Sequence, residues 1–226
     1  MRPRESVVRG RRDEGTRASR FHTARGPMPV SGWLRLPAAR LRARLGRVPE
    51  RPWIVPAAVS WLGRRTRRSW AVLELGSGRS TLWLARRAGT VVSFEDNEHW
   101  LARARELLEL AGVENAELRP LPIERFVAEV AALEDERFDL VVVDFLESPD
   151  ADRIGAVRAA RPKVRPGGYL LLDDSDRAAY AEAHELMRDW RARRFVGVKD
   201  EWPAACETTI FRRPIDSTAS ELKAAG

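Results

Sequence analysis

Short, almost unbroken apolar runs alternate along this chain with longer stretches in which apolar residues recur every three or four positions. The runs have the length and Val/Leu content of strands buried on both faces. The periodic stretches have the pattern of helices packed against them. Strands are predicted at residues 72–75, 91–94, 113–118, 139–143, 169–172, 195–198 and 207–211. Helices are predicted at 53–62, from just after Gly78, from just after Glu95, and at 178–191. In the helix after Glu95, residues Leu101, Ala104, Leu108 and Ala111 share the inner face. Asp96 or Asn97 can cap its start and Gly112 can end it. Strand and helix alternating in this way predict an α/β domain on a mostly parallel sheet.

The candidate chemistry gathers where strands end. Residues 72–81 read V-L-E-L-G-S-G-R-S-T: a strand carrying Glu74, a turn at Gly76-Ser77-Gly78, and a helix opening at Ser80-Thr81. Glycine has no Cβ, so such a turn lets a ligand approach the backbone. The helix start offers unpaired N–H groups. Glu95 follows the next strand, 21 residues after Glu74. At about that spacing an acid can accept hydrogen bonds from two ribose hydroxyls. A dinucleotide fingerprint would place a third glycine where this chain has Thr81, which argues against a pyrophosphate lying over the helix. Two later strands end in acids, Asp144 and the pair Asp173-Asp174, the second after a Gly167-Gly168 turn.

With these residues in this order, the chain over residues 53–213 resembles the class I S-adenosylmethionine (SAM)-dependent methyltransferases. It resembles in particular small bacterial ones with a G-S-G-x-S-T loop and a strand ending in D-D-S. The resemblance implies a Rossmann-like sandwich: a seven-stranded, mostly parallel sheet with helices on both faces and the antiparallel last strand inserted between the fifth and sixth. It implies SAM as cofactor, with Glu95 on the ribose and Asp96 beside it. Gly76, Ser77, Gly78 and Ser80 would lie against the methionine part, and Glu74 near its ammonium or ordering the loop. The reaction implied is methyl transfer to an O or N nucleophile of a small-molecule substrate. Asp144 and Asp174, ending adjacent strands, are the candidate catalytic acids. Catechol-type O-methyltransferases, which the chain also resembles, hold a divalent ion with an acid after the fourth strand and an Asp-Asn pair after the fifth. Here those positions are Asp144 and Asp174-Ser175. Serine is a poorer ligand than an amide carbonyl for a hard cation, so no metal is expected. The substrate pocket is expected from residues 145–153, 177–180 and 199–205.

Composition narrows the alternatives. The 226 residues suit one domain with an extension. The longest apolar runs, such as 140–143, are too short to span a bilayer. The single cysteine, Cys206, permits no intramolecular disulfide and fits a reducing cytoplasm. It does not follow the fourth strand as a base-methylating nucleophile would, and reads as a small buried hydrophobe. Charge is uneven: the first 68 residues carry 18 arginines against four acids, whereas the remainder carries more acids than bases. Residues 1–27 have almost no apolar content and are predicted to be a disordered arm, without the apolar core of a secretory signal. Residues 28–50 read as a basic amphipathic helical segment. Its face of Leu34, Ala38, Leu41 and Leu45 is expected to pack over the cofactor cleft or against the domain. Residues 51–214 form the expected SAM-binding domain and 215–226 a disordered tail. The basic arm leaves a nucleic-acid-binding protein as a rival reading. The acidic remainder, and D-F-L-E-S-P where amine-methylating nucleic-acid enzymes carry N-P-P-Y, disfavour it.

Overall fold

The computed structural model describes residues 22–23, 26–28, 30, 33–35, 37–38, 41, 50–146, 148–200 and 202–215. Helix and strand alternate as α1 (Pro56–Gly63), β1 (Ala71–Leu75), α2 (Arg79–Ala85), β2 (Thr90–Glu95), α3 (Glu98–Ala111), β3 (Ala116–Pro120) and α4 (Phe126–Ala132). The order continues with β4 (Phe138–Val143), α5 (Arg153–Ala160), β5 (Val164–Asp173), α6 (Ala181–Leu186), β6 (Arg191–Lys199) and β7 (Trp202–Arg212). The sheet runs β3-β2-β1-β4-β5-β7-β6, with β7 antiparallel to both its neighbours. This is the inserted last strand that the family resemblance implied.

Period-two alternation splits each strand between two cores. Leu73, Leu75, Phe94, Val141, Val143, Leu170 and Leu172 pack under α4, α5 and α6, with Phe126, Val157 and Ala183. Val72, Val91, Leu140 and Leu171 pack under α1, α2 and α3, with Leu62, Leu84 and Leu107. Asn97 caps α3, its Oδ1 accepting from the His99 and Trp100 N–H groups. Gly112 ends α3 in the left-handed conformation, and the Val113 N–H returns to the Leu108 carbonyl. That exit uses up residues 112–115, so β3 begins at Ala116, later than the apolar pattern suggested.

The structure departs from expectation in two other places. The helix expected over 178–191 ends at Leu186, and β6 begins at Arg191. Arg191-Ala192-Arg193-Arg194 are good helix formers, but they are exposed on the sheet edge, where pairing with β7 decides the backbone. At the N-terminus, residues His22–Thr23 pair with Gly26–Pro27, inside the arm expected to be disordered. Thr23 is buried, and Met28 is buried against Val198 and Ala205 of the β6–β7 hairpin. Residues 30, 33–35, 37–38 and 41 are helical. Leu34 and Leu41 are 77% and 57% exposed, so these two residues do not make the packing expected of that face. Leu45, residues 1–21 and residues 216–226 lie outside the described residues.

Candidate active site

Register brings the sequence candidates to one edge of the sheet. Leu75 is level with Phe94 on β2 and with Val143 on β4, and Val143 is level with Leu172 on β5. The next residues, Gly76, Glu95, Asp144 and Asp173, therefore form a row across the carboxyl ends of four parallel strands. At about 4.8 Å per strand the row spans roughly 14 Å. Its centre is the β1/β4 boundary, where strand order reverses and open α/β sheets bind ligands.

The β1–β2 half of the row is built on two acids. Glu74 is fully buried and faces Ser93 across the β1–β2 pair. Its Oε2 accepts from Thr81 Oγ1 at 2.6 Å and from Ser93 Oγ at 2.8 Å, while Thr81 Oγ1 accepts from the Gly78 N–H at 3.0 Å. Glu74 thus orders the loop through Thr81, the residue standing where a dinucleotide site would need glycine. Burial pushes its carboxyl up to about 7, against the hydroxyls of Ser80, Thr81 and Ser93. Its Oε1 lacks a hydrogen bond of full geometry among the described residues, a buried acceptor open to a cationic group. Glu95 Oε2 accepts from the Ser77 N–H at 2.5 Å and Oε1 from the Asn97 N–H at 2.9 Å. Burial again raises its carboxyl, and these N–H groups oppose the rise.

Gly76 sits at φ 96°, and a Cβ there would lie 2.2 Å from the Asp144 carbonyl oxygen. The loop is therefore drawn tightly over the end of β4. A side chain on Gly78 would approach Trp100 of α3, which flanks the loop. Asp96 is exposed, and Asn97 rather than Asp96 caps α3. A buried unsatisfied carboxylate oxygen, a loop that admits only glycine at Gly76, and an acid at the end of β2 fit an adenosyl-amino-acid ligand.

The β4–β5 half of the row holds more charge than the sequence revealed. Asp144 is partly exposed, and its carboxylate lies 3.8 Å from Arg153. Burial raises its carboxyl, with Lys199 and Arg153 pulling the other way. Arg153 is buried between the rings of Phe145 and Tyr180 and donates to the backbone carbonyls of Asp173 and Phe145, tying the ends of β4 and β5 together. Asp173 accepts from Thr208 Oγ1 at 2.7 Å and from Lys199 Nζ. Asp174 accepts from Lys199 Nζ at 2.6 Å and from Arg177. Burial opposes ionisation of Asp174, but Lys199, Arg177 and Arg153 outweigh it and hold its carboxyl well below the usual range.

Consecutive strand residues normally face opposite ways. Asp173 and Asp174 both reach Lys199 because Asp174 takes a left-handed backbone, φ 52°. Ser175, level with the expected metal pair, turns its Oγ into the core to Glu207 at 2.9 Å and Thr209 at 2.7 Å. Sequence reasoning set Asp173 beside Asp144 at the strand ends and put Arg153 and Lys199 in segments expected to form the pocket, but gave neither cation a role. Lys199, a rare lysine in an arginine-rich chain, was the one available signal. Cys206 is buried, and burial pushes its thiol up to about 12, which removes it as a nucleophile.

Residues 73–175 match a family model described as a methyltransferase domain. Two curated relatives are both named carboxy-S-adenosyl-L-methionine synthase. The one from Pseudomonas paraeruginosa is 35% identical over 152 residues, covering 63% of this chain and 59% of the relative. The one from Pseudomonas aeruginosa is 35% identical over 98 residues, covering 42% of this chain and 39% of the relative. The chain thus matches less than two thirds of the length of either. Among solved structures, an O-methyltransferase from Bacillus cereus in complex with SAH aligns with a TM-score of 0.56 at 20% identity, over 79% of this chain and 90% of that chain. An rRNA methylase from Streptococcus thermophilus aligns at 0.54 and 16%, over 69% and 93%. The N-methyltransferase NodS from Bradyrhizobium japonicum aligns at 0.52 and 18%, over 70% and 93%. Three acceptor types on one fold mean that likeness of fold says nothing about the acceptor. Strand order, the acids at the strand ends and the family model matched over residues 73–175 together support a class I, SAM-dependent methyltransferase.

Proposed function

We propose that this chain binds SAM across the row of strand ends and transfers a methyl group to an O or N nucleophile of a small molecule, with Asp144 as the base. The observation that carries the reading is the row itself: Gly76, Glu95, Asp144 and Asp173 level across four strands at the switch point. Glu95 would take the ribose hydroxyls, and the backbone at Gly76 to Gly78, with Ser80 nearby, the amino-acid part. Bound SAM supplies an already activated methyl group, so the protein's work is chiefly alignment.

The chain's own groups divide the remaining tasks. Both Asp174 oxygens are engaged by cations, which makes it a poor proton acceptor and a good anchor. Asp144 feels Lys199 and Arg153, its nearest guanidinium contact is Arg153 at 3.8 Å, and it keeps an exposed edge. Its raised carboxyl lies nearer to working pH, as a general base requires. Leu146, exposed just after Asp144, gives that side of the acceptor end apolar surface, while Phe145 is buried against Phe126. The fit to a divalent ion fails, because Ser175 is committed to the core and an ammonium lies between Asp173 and Asp174.

The test is calorimetric titration of SAH into the full-length chain, followed by a panel of small hydroxyl and amine acceptors read by SAH formation. Saturable SAH binding, with turnover lost in Asp144→Asn while SAH affinity holds, supports the reading. A folded chain that fails to bind SAH sinks it. With a carboxylic-acid donor added to the panel, mass spectrometry of the spent cofactor separates the relatives' named chemistry, since a carboxylated SAM instead of SAH would identify a synthase.

A further inference from the structure

The positions that catechol-type enzymes give to a divalent ion hold, in this chain, a cation of its own. Lys199, the last residue of β6, sends Nζ between Asp173 and Asp174. Its side chain is 5% exposed, and Nζ lies 5.4 Å from the centre of the Trp53 ring. Trp53 is set there by its own Nε1, which donates to the Asp200 carbonyl at 2.5 Å, and by Arg51, which pairs with Asp200. The Val55 N–H meets Thr208 Oγ1, the hydroxyl that also donates to Asp173. The chain entering α1, the tip of the β6–β7 hairpin and the end of β5 thus close around one ammonium. A buried ion pair is a weak route to stability compared with apolar packing. The left-handed backbone at Asp174, needed to turn two consecutive acids onto one partner, is a further local cost of the kind that clusters at functional sites.

We propose that the Lys199 ammonium replaces the divalent cation: it is a positioning residue that holds Asp173 and Asp174 at the acceptor end, so that transfer needs no metal. Transfer itself rests on the methyltransferase reading. The replacement of a metal by the ammonium does not, and is measured without SAM or acceptor. Removing the ammonium leaves the Asp173 and Asp174 carboxylates beside each other with no cation between them, two oxygen donors for a hard cation.

The experiment is Mn²⁺ titration of the chelator-stripped, full-length chain, followed by paramagnetic resonance and by thermal unfolding. Wild type and Lys199→Arg should show no saturable Mn²⁺ uptake and the same melting temperature with or without the ion. Lys199→Ala should melt lower and gain a Mn²⁺ site, its melting temperature rising by roughly 5–10 °C at a hundredfold excess over Kd. Adding Asp174→Asn to that variant should abolish the gain. Lys199→Gln, which keeps the stem and removes the charge, serves the same purpose if the alanine variant does not fold. Saturable Mn²⁺ binding by wild type that Asp174→Asn removes overturns the proposal, whatever the variants do. So does a folded Lys199→Ala or Lys199→Gln that takes up no Mn²⁺.

Discussion

Glu74 and Glu95 are both buried near the carboxyl ends of neighbouring strands, but Glu74 accepts from side-chain hydroxyls and Glu95 from backbone N–H groups. Glu74 titrates near pH 7 in the folded chain and near 4.5 when unfolded. The folded state therefore holds a proton that the unfolded state has released between those values. The stability this contributes is full below pH 4.5 and is lost as pH rises through 7. The difference amounts to about 3 kcal/mol. Glu74→Gln, whose amide oxygen can still accept from Thr81 and Ser93, should flatten the stability–pH curve across that window, measured by urea unfolding at a series of pH values. An unchanged slope would show that Glu74 is ionised in the fold. For Glu95, alanine removes charge-assisted hydrogen bonds worth about 1.5–3 kcal/mol, or roughly ten- to a hundredfold in SAH affinity. Equal binding by Glu95→Ala in calorimetry would remove it from the cofactor site. Asp144→Asn should cut turnover about 10²- to 10⁴-fold, the range for a general base. Its SAH affinity should stay close to wild type.

At the scale of elements, the loop between β1 and α2 is a tight joint. A methyl group on Gly76 would meet the Asp144 carbonyl oxygen at 2.2 Å, and the positive φ disfavours any side chain. Gly76→Ala should destabilise the chain by about 1–3 kcal/mol and weaken SAH binding as the loop lifts off β4. A wild-type melting temperature and SAH affinity in that variant would mean that the loop tolerates the shift. Local rules made this joint legible, since an acid, two glycines and a hydroxyl pair admit few backbones. They made α3 legible too, through its cap at Asn97 and its stop at Gly112. They failed at β6, where Arg191 to Arg194 have no hydrophobic alternation to reveal a strand. An edge strand with exposed side chains owes its form to its partner's backbone, which no window of its own sequence contains.

At the scale of the molecule, the described N-terminal residues reach the domain at the β6–β7 hairpin. Thr23 is buried, and Met28 is buried beside Val198 and Ala205. A chain shortened to begin at residue 22 should keep its melting temperature, because residues 1–21 offer little apolar surface. Removal through Met28 should lower it by several degrees, as burying such a side chain contributes about 1.5–3 kcal/mol. Equal melting of both shortened chains would show that Met28 adds nothing to the fold. No described helix is long and apolar enough to cross a membrane.

The amino-acid sequence by itself determined the order of strands and helices, the glycine loop and the acids that follow strands. These are local properties, written in period, spacing and the demands of a turn on residue type. It did not determine which acids are free. Asp144 and Asp174 looked equivalent as strand-end acids, and only the folded chain showed that Lys199 and Arg177 occupy one of them while the other keeps an open edge. Lys199 lies 25 residues from Asp174 along the chain, and Trp53 lies further still. They meet because β7 inserts beside β5 and carries β6 with it, and because the segment before α1 folds over the hairpin tip. Whether a carboxylate is a base, an anchor or a ligand depends on which charges stand within a few ångströms of it. That distance is set by the tertiary structure.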